Sequence, residues 1–134
     1  MSKDAPRAVM VPCSYGEAAD KITILTIKSE RMHDAAQLEN VRRELALLSD
    51  AFFATVARGA QFDALFTRLK TTNEKLWTIE DDIRACEARG DFGPEFVRLA
   101  RAVYRTNDER AQVKRELNAL LGSTLVEEKS YARK

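Results

Sequence analysis

The chain is short of the residues that break helices. Its 134 positions hold only five glycines and three prolines, too few for the many tight turns of a β-sandwich or barrel. It has two cysteines, Cys13 and Cys86, far apart and in no metal or redox spacing. Two reduced thiols are therefore expected, with no disulfide framework. The one histidine, His33, has no cysteine or histidine at ligand spacing, so no metal site is expected. Neither charge sign dominates: the formal net charge is +1, which supplies no general pull towards nucleic acid or anionic lipid. A basic stripe interleaved with aromatics, the mark of a nucleic-acid binder, is also missing. No apolar run is long enough to insert into a membrane. The opening residues, MSKDAPRAVMVPCSYG, lack an apolar signal core, so the expected location is cytoplasmic. Glycine-rich phosphate loops, a dinucleotide fingerprint and a Ser-His-Asp set are absent at convincing spacing. No cofactor is expected.

What remains is a charge-rich chain, 45% hydrophobic and 32% charged. It is long enough to bury a core without staples. A single helical domain over residues 1–134 is expected, with residues 1–12 a loose or extended tail ending at Pro12. Ser14-x-x-Glu17 has the form of a capping box and opens a first helix, although the centre of that helix, Ile22-Thr23-Ile24-Leu25-Thr26-Ile27, is rich in β-branched residues that suit a strand. Asp34, with Gln37 three residues on, caps a second helix with the stripe Leu38, Val41, Leu45, Leu48, Phe52 and Val56, which Gly59 can end. A third helix carries Phe62, Leu65, Leu69, Leu76, Ile79, Ile83 and Cys86 and stops at Gly90. A fourth starts with Gly93 as cap and Pro94 as first residue, with Phe92 and Val97 as a hydrophobic staple, and ends at Gly122. Thr124-x-x-Glu127 can open a short C-terminal helix. The fold class is thus all-α. It is an elongated bundle of four main helices in which the third and fourth, each about 42 Å long, form an antiparallel, coiled-coil-like hairpin across a loop of about four residues.

Polar residues interrupt the apolar stripes of that hairpin. On the third helix Glu87 falls inside the apolar arc, with Asn73 and Glu80 at its edge; on the fourth, Asn107, Arg110, Lys114 and Asn118 fall inside it. An antiparallel register sets Asn73 level with Arg110, Leu76 with Asn107, and Glu80 with Val103 and Tyr104. Buried charge needs a partner. The seam is either a satisfied network, with Glu80 on Arg84 and Arg110 on Asn73, or a pocket for a small polar or anionic ligand. Trp77, Glu80, Asp81 and Arg84 lie along one flank and would offer an aromatic wall, two carboxylates and a guanidinium. The first helix has Ile24 and Ile27 among the charges of its outward face. That pattern suits a face partly covered, with Lys21, Lys28 and Arg31 pointing at Glu80 and Glu87. Ligand-binding candidates are therefore Lys21, Lys28, Arg31, Trp77, Glu80, Arg84, Tyr104, Asn107, Arg110 and Lys114. Glu80 is the candidate acid–base group.

The stretches GEAADKITILTIKSER, LWTIEDDIR, GDFGPEF, LARAVYRTND and GSTLVEEKSY, taken together, resemble a family of small bacterial proteins classed only as a domain of unknown function. The resemblance runs from about Val11 to Tyr131. Ala18-Ala19 and the terminal YARK depart from it: bulkier apolar residues and a further aromatic are expected there. The resemblance implies a helical bacterial protein and assigns no activity. Two functions stand: an interaction or accessory module, working through its hairpin on a protein partner or as a homodimer, and a binding protein or enzyme for a small anionic or sugar-phosphate ligand.

Overall fold

The computed structural model describes residues 7–131; the first six residues of the expected tail, and the last three of the chain, lie outside the described residues. Four helices follow in order: α1 (Tyr15–Arg31), α2 (Ala35–Thr55), α3 (Ala60–Arg89) and α4 (Pro94–Leu121). Among the described residues there is no strand. The β-branched centre of α1 is helical because its ends and its faces outweigh local propensity. The Ser14 hydroxyl accepts the Glu17 N–H at 3.1 Å, and Ile22, Leu25 and Ile27 are buried at 3% exposure or less. Propensity differences of a few tenths of a kcal/mol per residue cannot compete with burial of such side chains, each stabilising by about 1.5–3 kcal/mol.

Asp34 caps α2 as expected, accepting from the N–H groups of Ala36 and Gln37. Gly59 does not end α2. The helix stops at Thr55, and Gly59 becomes the N-cap of α3. Gly93 and Pro94 open α4, and Gly90 and Gly122 close α3 and α4 in left-handed conformation, where a Cβ would be strained. Phe92 and Val97, expected to staple the start of α4, do not form a buried contact. Both are more than half exposed, and the Phe92 ring meets Phe96 edge-on at 5.2 Å instead.

The expected helix after Thr124 is also absent: residues 123–131 have neither helix nor strand. An eight-residue helix is marginal without tertiary support, and the Glu127 carboxylate is drawn away from any capping role by Lys114, 3.1 Å distant.

α3 and α4 pack closely along each other, α1 lies against both, and α2 lies along α1. Moving away from the 90–93 connection, α3 and α4 are tied by Lys75–Glu109 and then by Arg68–Glu116. Two apolar clusters result. The larger joins all four helices through Ala19, Ile22, Phe52, Phe62, Leu69, Val113 and Leu117. Phe52, Phe53, Phe62 and Phe66 meet there ring against ring. The smaller contains Ile79, Cys86 and Leu99, on α3 and α4 alone. Between them α1, α3 and α4 bury polar residues: Asp20, Thr23, Asn73 and Thr106 are each 5% exposed or less.

Candidate functional site

The polar residues between the two apolar clusters are organised by Asp20, a carboxylate 2% exposed on α1. Arg110 of α4 donates to it twice, from Nε to Oδ1 at 2.8 Å and from Nη2 to Oδ2. Asn73 of α3 donates its Nδ2 to Asp20 Oδ1 and to Thr23 Oγ1, each at 2.9 Å. Thr23 in turn donates to the Asp20 backbone carbonyl at 2.8 Å. A paired, multiply bonded carboxylate is the form in which a buried charge is tolerated. The guanidinium pKa of Arg110 is raised, first by this bond to Asp20, against the opposing effect of burial.

One rim of this network is open. Ile24, Ile27 and Lys28 of α1, Asn73, Leu76, Trp77, Glu80 and Asp81 of α3, and Asn107 and Arg110 of α4 line a cavity of about 460 Å³, within the usual range for small-molecule sites. Ile24 and Ile27, set among the charges of α1, thus form an apolar wall of a cavity rather than part of a solvent face. Asn73 and Arg110 are level, both on Asp20 Oδ1, and Leu76 and Asn107 both line the cavity.

The groups facing the cavity are mixed. Lys28 has no ion-pair partner among the described residues. Glu80 is 3.4 Å from Arg84, whose side chain is 79% exposed and does not line the cavity. Asn107 accepts from Arg110 Nη1 at 3.4 Å through its Oδ1. No buried side-chain nitrogen or oxygen lacks a hydrogen bond among the described residues. The Asn107 amide nitrogen and the Asn73 amide oxygen, which have no protein partner there, are therefore reachable by water or by a ligand.

The remaining candidates lie elsewhere. Lys21 does not point at the acidic part of α3; it pairs with Glu44 of α2 at 3.0 Å. It sits two turns, about 10.5 Å, before Lys28 on α1, where α2 is the neighbour. Glu87 is exposed, and Cys86, 1% exposed, takes the core position beside it. Arg31 lies near Glu74 at 3.9 Å and over the Trp77 ring at 5.9 Å, at the edge of the cavity. Tyr104 is exposed on α4, and the nearby guanidinium groups of Arg101 and then Arg105 lower its phenol pKa.

Lys114 belongs to a second, smaller cavity of about 200 Å³. Its ammonium donates to Glu17 at 2.8 Å and to Glu127 at 3.1 Å. Burial works against its charge, yet the hydrogen bonds to Glu17 and Glu127 outweigh burial and its pKa is raised. The Glu17 carboxylate, expected to reach back to the helix cap, is thus turned towards α4. Beside it α1 and α4 touch backbone to backbone. Gly16 donates its N–H to Asn118 Oδ1 at 2.7 Å, and a Cβ on Gly16 would come within 2.5 Å of the Lys114 carbonyl oxygen.

Asp20, Thr23 and Glu127 were not among the sequence candidates, and neither were Asn73, Asp81, Glu17 and Lys129, which also belong to these sites. Asp20 and Thr23 are three residues apart on α1, a spacing that places them on one face, and that was the only trace they left in the sequence.

Among the described residues, the fold and site define a bundle of four helices with a polar belt across its middle and a cavity opening from it. The chain belongs to DUF6165, a family of unknown function whose model matches residues 9–134. Comparison with curated proteins and with solved structures gave no match. No helix is long and apolar enough to cross a membrane among the described residues.

Proposed function

We propose that this protein binds a small, polar, uncharged molecule in the larger cavity, between α1, α3 and α4. One observation carries the reading: Asn107, Arg110 and Glu80 line an open cavity together with Lys28, instead of lying sealed against one another. Charge argues for a ligand without excess of either sign. The Arg110 charge is matched by Asp20 behind it and the Glu80 charge by Arg84, which leaves Lys28 and Asp81 as one cation and one anion on the lining. Trp77 offers a flat apolar face. Glu80, Asp81 and the Asn73 carbonyl accept hydrogen bonds, while Lys28 and the Asn107 amide donate them. An aromatic plane ringed by alternating donors and acceptors suits a sugar or another ring carrying several hydroxyls. In this cavity the anion-binding role expected of Lys21 and Arg31 has less support, because each already has a carboxylate beside it.

Trp77 is the chain's single tryptophan, so its fluorescence reports on this cavity alone. Titration with neutral sugars, amino sugars, sugar phosphates and nucleotides is expected to change its emission for the uncharged sugars, and Asn107→Ala to weaken that response about tenfold, the loss of a hydrogen bond worth about 1.4 kcal/mol. Emission unchanged by every compound would overturn the reading.

A second reading is an interaction module acting through an antiparallel α3–α4 hairpin, as one helical domain of a bacterial, cytoplasmic protein. It is favoured by Phe92 and Val97, 56% and 52% exposed near the start of α4. Light scattering on the wild type and on Phe92→Ser tests self-association through that end.

A further inference from the structure

We propose that the smaller cavity is an anion-binding subsite centred on Lys114, and that Glu127 fills it as an internal competitor. The Lys114 side chain is only 9% exposed and is directed at two carboxylates of unlike standing. Glu17 lies in the first turn of α1, fixed by the Ser14 cap and by the contact of Gly16 with α4. Glu127 lies in a stretch without helix or strand whose residues are exposed. Its carboxylate is held there by Lys114 and, at 3.7 Å, by Lys129. Of the two, Glu127 is the one that can be exchanged without unpacking a helix.

The cavity that Glu127 enters measures about 200 Å³ and is also lined by Asn107, Arg110 and Lys129. That volume suits a phosphate or a carboxylate group. With Glu127 swung out, Lys114, Lys129 and the outer edge of Arg110 face the space, opposed by Glu17. An incoming anion would accept from Lys114 in the place of Glu127, so no buried charge is left unpaired by the exchange. The Glu127 carboxylate then returns to water at little cost, because it is already 42% exposed.

Asn107 and Arg110 line both cavities. The subsite therefore adjoins the larger cavity, so an uncharged ring bound there and a separate anion at Lys114 would be neighbours. The Lys114 subsite does not rest on the sugar-type reading of the larger cavity.

The test is calorimetric titration of the full chain with inorganic phosphate, and separately with acetate, at constant ionic strength. Glu127→Gln removes the competitor from an exposed segment and leaves the helices intact. It is expected to bind phosphate, acetate or both about tenfold tighter than the wild type, with the preferred anion identifying the group. Adding Lys114→Gln to that variant is expected to abolish the gain. Trp77 emission should stay unchanged throughout, which separates this site from the larger cavity. Equal affinities in wild type and Glu127→Gln, or a gain that survives Lys114→Gln, would overturn the proposal.

Discussion

Asp20 and Arg110, ninety residues apart in sequence, form a two-point ion pair, with Asp20 2% exposed and Arg110 29% exposed. The pair fixes α1 against α4, and Asn73 adds α3 to the same carboxylate. It therefore sets both the helix register and the floor of the larger cavity.

Asp20→Ala removes the acceptor shared by Arg110 and Asn73 and leaves their N–H groups without it. Losing one member of a buried pair typically costs about 3–5 kcal/mol. Arg110 can reach some water, so the lower end is expected, about 3 kcal/mol. Urea unfolding followed by circular dichroism measures it. A loss under 1 kcal/mol would mean that the pair does not anchor the belt.

Gly16→Ala tests the approach of α1 to α4. The added methyl meets the Lys114 carbonyl oxygen at 2.5 Å, a backbone atom that cannot rotate aside. Ala favours helix over Gly by about 1 kcal/mol in an open position; here overpacking of about 1–3 kcal/mol should dominate. The expected result is net destabilisation, together with loss of amide-exchange protection at Gly16, which donates to Asn118. A stabilised variant would show that the helices can part cheaply.

Much of this arrangement is legible in the residues. Ser14, Asp34, Gly93-Pro94 and Gly122 mark helix ends because capping is local chemistry, read within four residues. Asn73 falls level with Arg110 because a short connection fixes the register of two consecutive helices. Ile24 and Ile27 among charges reveal a covered face. The role of Asp20 is not legible in the same way. In the run Glu17, Asp20, Lys21, Lys28, Arg31, a carboxylate leaves the same trace whether it faces water or an arginine ninety positions on. Glu127 misleads for a related reason: its spacing from Thr124 fits a capping box, while its partner is a lysine on another element. Gly16 reads as a generic small residue until the α4 backbone lies against it.

The tie between the C-terminal segment and α4 has a definite pH window. The Glu127 pKa is lowered below its ordinary value of 4.5, first by the hydrogen bond from Lys114. Its contribution is therefore present above the unfolded value and is lost as pH falls through the lower folded value. The Lys114 pKa is raised above 10.5, so its contribution is present below that value and is lost as pH rises through the folded value. The segment should stay docked across the neutral range and detach at both extremes. Amide resonances of residues 124–130, followed against pH, should move below the ordinary carboxylate range while those of α3 hold. Movement centred near neutrality would contradict the ion pair.

The two thiols should differ in reactivity. Cys13 is exposed, whereas Cys86 is 1% exposed in the smaller apolar cluster, with Arg89 Nη2 at 3.4 Å from its sulfur. Access governs thiol reactivity alongside acidity. A thiol-specific reagent should titrate one group in the native protein and two in denaturant. Cys13→Ser should leave almost no native reaction, and fast labelling of Cys86 would mean that the paired ends of α3 and α4 open readily.

Lys28 and Arg110 line the same cavity but should respond to truncation in opposite ways. Arg110 holds Asp20, so Arg110→Ala should unfold the belt and lower stability by about 3 kcal/mol, leaving a buried carboxylate without its cation. Lys28 has no ion-pair partner among the described residues and no structural bond to lose. Lys28→Ala should change stability by no more than about 0.5 kcal/mol. Any effect of that variant therefore belongs to the cavity, where it should weaken a hydroxyl-bearing ligand about tenfold in the Trp77 titration, the loss of one charge-assisted hydrogen bond. Paired measurement of unfolding and of Trp77 emission in the two variants separates the residue that builds the site from the one that serves it. A strongly destabilised Lys28→Ala would place Lys28 in the structural network instead.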